Sequence, residues 1–76
     1  MSTIEFVRDE IKILEENLEN LKDAKEVLES LRKSGTNVTK ELLDNDRAIT
    51  DNMKLQKNLV DALTRMAQRR QDADIP

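Results

Sequence analysis

Apolar residues never run more than two deep in this chain, yet they recur at alternating spacings of three and four. Ile4, Ile11 and Leu18 hold one heptad position, and Val7, Leu14, Leu21 and Leu28 hold another. That alternation keeps a stripe on one side of an α-helix, and no strand can use it, because a strand changes face at every residue. The spacing predicts a first helix over about 3–33, with Lys25 as the one charge in its stripe. Ser2 or Thr3 supplies capping chemistry at the start, and Glu5 suits the positive end of the helix dipole.

The pattern breaks at Ser34-Gly35-Thr36-Asn37. Arg32 and Lys33 suit a helix C-terminus, and Gly35 suits the left-handed residue just beyond it. Thr36 or Asn37 can cap a second helix expected over about 38–71, followed by a frayed tail at 72–76. Leu42, Ile49, Gln56 and Leu63 form its seam, with Asn45, Asn52, Leu59 and Met66 at the alternate position. A connection this short implies antiparallel neighbours. The fold class is therefore all-α: one domain, an antiparallel two-helix hairpin of long amphipathic helices.

Counting outward from the turn puts Ile4 level with Ala67, Ile11 with Val60 and Leu18 with Met53, over roughly 45 Å at 1.5 Å per residue. It also brings Lys25 level with Asp46, the two charges in otherwise apolar hairpin positions. Those two, together with Asn45 and Gln56, are read as register-setting, since a buried polar group is tolerated only where its partner lies opposite. Asn52 and Gln56 are four apart and should form one polar layer beside Leu14.

The seam does not use up the apolar surface. Phe6, Ile13 and Val27 share another heptad position of the first helix, with Leu31 beside them. Ala48, Leu55, Ala62, Leu59 and Met66 are left over on the second, around Asn52. Each apolar arc spans about 160°, wider than a two-stranded coiled coil needs. These residues are read as an interface, covered when two hairpins pack into a four-helix bundle. The expected partner is a second copy, as a homodimer, or a helical protein.

With 76 residues, no Cys and no His, the chain has no disulfide framework, no thiolate metal site and no imidazole base, so oligomerisation is the remaining staple. Glu16, Glu19, Glu26 and Glu29 fall on the polar arc and read as solvated charge, and a di-iron bundle would require His. Asp44, Asp46 and Asp51 lack the glycine of a calcium loop. No phosphate loop or nucleophile–base set is present, so an enzyme, a cofactor and a small-molecule substrate are not expected. Asn37-Val38-Thr39 matches a glycosylation acceptor, but its residues already serve as helix-start chemistry.

No run is apolar enough to span a membrane, and the N-terminus lacks the basic and apolar regions of a signal peptide, so a soluble, cytoplasmic protein is expected. A rival reading uses Lys40, Arg47 and Lys54, with Arg65, Arg69 and Arg70, to touch nucleic-acid phosphates. Asp44, Asp51 and Asp61 interleave with these cations, and no aromatic lies near for base stacking. A solvated face is the preferred reading.

Overall fold

The computed structural model describes residues 3–74, with side-chain environments through residue 69. Among them the chain is all-helical: α1 spans Thr3–Lys33 and α2 spans Thr39–Asp74, and the two pack against each other. Neither helix contains Gly or Pro, so nothing interrupts the backbone ladder over 31 and 36 residues. Ser2, one of the expected caps, lies outside the described residues, as do Ile75 and Pro76 of the expected tail. The helix itself runs through Asp72-Ala73-Asp74, three residues beyond its expected end.

The turn is built by local hydrogen bonds. Thr36 N–H donates to the Leu31 carbonyl at 3.0 Å and Gly35 N–H to the Arg32 carbonyl at 3.1 Å, the paired closure of a Schellman motif. The motif needs a left-handed residue, and Gly35 has φ 97°. A Cβ there would meet nothing within 4 Å, so backbone conformation and not space selects glycine. Asn37 Oδ1 then accepts from Thr39 N–H at 3.3 Å and from Thr39 Oγ1 at 3.0 Å. Val38 accepts the first bond of α2, from Leu42 N–H at 2.9 Å, and buries its side chain between the helices.

The core is thin. Its buried residues are Val7 and Leu14 on α1, Val38 just before α2 and Asn45 within it, and no side chain among the described residues is fully enclosed. Each pair is seven residues apart, so the contact runs along one heptad position of each helix. Ile4, Ile11, Leu18, Leu21 and Leu28 flank it half-buried on α1; Leu42, Ile49, Leu59, Leu63 and Met66 do so on α2. The molecule is a rod of 66 × 18 × 13 Å.

One expectation is corrected here. Met53 and Val60, expected beside the seam and level with Leu18 and Ile11, are 54% and 46% exposed, and Ala67 is exposed as well. The reason is polar. Asn45 and Asn52 each donate a side-chain amide to a carbonyl of α1, which turns their heptad position inward and leaves that of Met53 and Val60 at the rim.

Candidate association surfaces

Polar contacts join the helices at the levels of Asn45, Asn52 and Lys25. Asn45 Nδ2 donates to the Leu21 carbonyl at 3.2 Å, and Asn52 Nδ2 to the Leu14 carbonyl at 2.8 Å. Asn52 Nδ2 also donates to Gln56 Oε1 at 2.7 Å, so the polar layer beside Leu14 forms within a single hairpin. Each helical carbonyl keeps its own i+4 donor, and the amide takes the second lone pair. Nearer the turn, Lys25 Nζ lies 3.0 Å from Asp46 Oδ1. The hydrogen bond to Asp46 and its negative charge hold the Lys25 ammonium above its ordinary pKa, with Glu29 adding slightly and burial opposing.

Asn45 is the outlier among the amides. It is only 9% exposed, and its Oδ1 is buried without a hydrogen-bond partner. The amide cannot be turned around to repair this, because Nδ2 is needed opposite the Leu21 carbonyl.

Apolar side chains lie exposed on two faces. On one, Leu55 lines a groove of about 490 Å³ between the helices, and seven-residue spacing sets Phe6 (56% exposed), Ile13, Val27 (61%) and Leu31 on the α1 stripes of Asn20 and Asn17, which also line it. Leu14, Leu21, Ala48 and Leu55 give that groove its apolar walls, and Asn17, Asn20, Asp51 and Asn52 line its middle. A smaller hollow of about 300 Å³ lies among Ala62, Arg65, Met66 and Arg69. Of the ten residues proposed from sequence, Phe6, Ile13, Val27, Leu31 and Leu55 are thus exposed. Ala48, Asn52, Leu59, Ala62 and Met66 are half-buried.

The opposite face carries Leu43, Met53 and Val60, which sequence reasoning did not assign to a surface. It also missed Asn17 and Asn20. Their signal was present: Asn20 fills the gap between Ile13 and Val27 in one stripe, and Asn17 precedes Ala24 and Leu31 in the next.

No helix among the described residues is long and apolar enough to cross a membrane. No family model matches the chain, and no curated protein or solved structure is significantly similar to it.

Proposed function

We propose that the chain is a non-enzymatic association module: a helical hairpin that pairs with a second copy into a four-helix bundle and serves as a scaffold, adaptor or small regulator. The observation that carries this reading is surface area. The chain presents 6111 Å² to solvent at 8.8 kDa. A compact monomer of that mass presents about 4,800 Å², so roughly 1,300 Å² is in excess. That excess is of the size a specific protein–protein interface removes from water. Three buried apolar side chains are a small core for two helices of this length.

Sedimentation equilibrium on the purified chain tests the reading. A dimer at micromolar concentration, whose melting temperature rises with protein concentration, is the expected result. A cooperatively folded monomer over the same range overturns it.

A further inference from the structure

The two exposed faces differ in how readily they can be covered. The face of Leu43 and Met53 is interrupted by the Lys25–Asp46 pair, whose side chains are still hydrated. Closing that face would strip water from an ion pair that gains little in return. The groove face carries three neutral amides and one carboxylate, Asp51, at its centre in place of a salt bridge, and apolar residues toward both ends of α1. The rod is 66 Å long and 18 Å wide, so two thirds of one broad side supplies the roughly 800 Å² per partner of a standard interface.

Charge on this face is distributed unevenly. Seven-residue spacing puts Glu41 on the stripe of Ala48, Leu55, Ala62 and Arg69, and puts Asp44 on the stripe of Asp51 and Arg65. The α2 edge is therefore acidic toward the turn and basic toward the open end. Along the α1 edge, the stripes of Phe6 and Asn17 contain a single charge, Glu10, and no cation. The acids on this edge of α2 thus have no complement on the facing edge of α1. They have one on α2 itself, at the other end.

We infer that the groove face binds a second copy of this chain about a twofold axis running across the helices, α1 against α1 and α2 against α2, with the two turns at opposite ends. This rests on the association reading above and adds to it the face, the direction and the register. Two independent midpoints give that register. Phe6 and Val27 are equidistant from the point between Glu16 and Asn17 on α1, and Glu41 and Arg65 are equidistant from Met53 on α2. The α1 point lies between two and three residues to the turn side of the bond joining Asn52 to Leu14, and the α2 point one residue to its other side, so the two levels are about 5 Å apart along the rod.

An axis between those levels sets Phe6 of each copy against Val27 of the other, and Arg65 against Glu41. Among the described residues Arg65 makes one hydrogen bond, from Nε to the Asp61 carbonyl at 3.4 Å. A carboxylate from the second copy is a stronger acceptor for the guanidinium than a carbonyl. Stacking with both turns at the same end would instead lay Glu41 and Asp44 over Val27 and Leu31, carboxylates over an apolar edge. Asn17 lies within one residue of the α1 point, where the two copies' amides can donate to each other.

The chain has no cysteine, so single-cysteine variants report geometry cleanly. Under mild oxidation Asn17→Cys is expected to give covalent dimer, and Met53→Cys on the opposite face is not. A mixture of Phe6→Cys and Val27→Cys chains is expected to yield mainly the mixed disulfide. Arg65→Glu should weaken dimerisation about tenfold, since symmetry places the change at two sites, and Glu41→Arg in the same chain should restore it. A dimer that cross-links through Met53→Cys and not Asn17→Cys leaves association standing and overturns this face. Cross-linking of Phe6→Cys with Ala62→Cys in preference to Val27→Cys overturns the antiparallel arrangement. An unmodified chain that sediments as a monomer removes the association reading itself.

Discussion

Asn52 on α2 donates to the backbone carbonyl of Leu14 on α1 at 2.8 Å, and the same nitrogen reaches Gln56 Oε1 at 2.7 Å. The amide therefore ties one helix to the other and its own side-chain neighbour into the same layer. Asn52→Leu alone strands Gln56 Oε1, half-buried, at a cost of about 1–3 kcal/mol against the gain in apolar burial. Replacing Asn52 and Gln56 together by Leu strands no side chain, since the Leu14 carbonyl keeps its helical donor. The double variant should melt higher than both the natural chain and the single variant. If the layer selects the assembly, the double variant should also lose its single oligomeric state. Thermal melts and sedimentation velocity read the two effects separately, and a more stable, uniquely dimeric double variant would deny the layer that role.

Asn45 should respond differently from most buried residues. Its Oδ1 has no partner, so the folded state carries the desolvation of an acceptor with no return. Asn45→Leu removes one hydrogen bond of 3.2 Å together with that orphan, and is expected to stabilise the hairpin by about 1–2 kcal/mol in urea titration. Destabilisation by Asn45→Leu would mean that Oδ1 has a donor in solution.

The Lys25–Asp46 pair has a defined pH window. Its lysine is held above the ordinary value of 10.5, so the pair's contribution is complete below that pH and is lost as pH rises through the higher folded-state value. The difference in urea midpoint between the natural chain and Lys25→Met should be flat from neutrality to about pH 10 and should shrink above it. In a double-mutant cycle Lys25→Met and Asp46→Leu should couple; additive effects would show that the contact does no energetic work.

Gly35→Ala is expected to cost about 1 kcal/mol, and Gly35→Asn less, because φ 97° penalises a Cβ while the space around it is open. Equal stability of Gly35→Ala and the natural chain in thermal melts would mean that the Schellman closure is not kept in solution.

Much of the hairpin was legible in the chain. Three-and-four spacing placed both helices, Gly35 marked the reversal, and counting from the turn brought Lys25 level with the carboxylate it reaches. The rotation of α2 was legible in its seam, where Asn45 and Asn52 stand with Leu42, Ile49 and Leu63. What the two amides bond was not, because their acceptors are main-chain carbonyls. Every residue has such a carbonyl, so the acceptor leaves no mark in the sequence. Asn17 and Asn20 escaped for a related reason: they appear as gaps in an apolar stripe, and a gap reads as surface until the groove around it is seen.

The use of carbonyls as acceptors also limits what the asparagines can enforce. A carbonyl seven residues along α1 presents the same geometry, so a slide of one full heptad would offer Asn45 and Asn52 equivalent acceptors. The amides thus fix the angle at which α2 faces α1 and are indifferent to its translation in heptad steps. Translation is limited by the tether, the few residues between Lys33 and Thr39 whose bonds leave no slack. Cutting the chain at Thr36 would release that one degree of freedom. The fragments would keep their mutual face, with alignments a heptad apart competing and Lys25 with Asp46 the remaining contact that tells them apart.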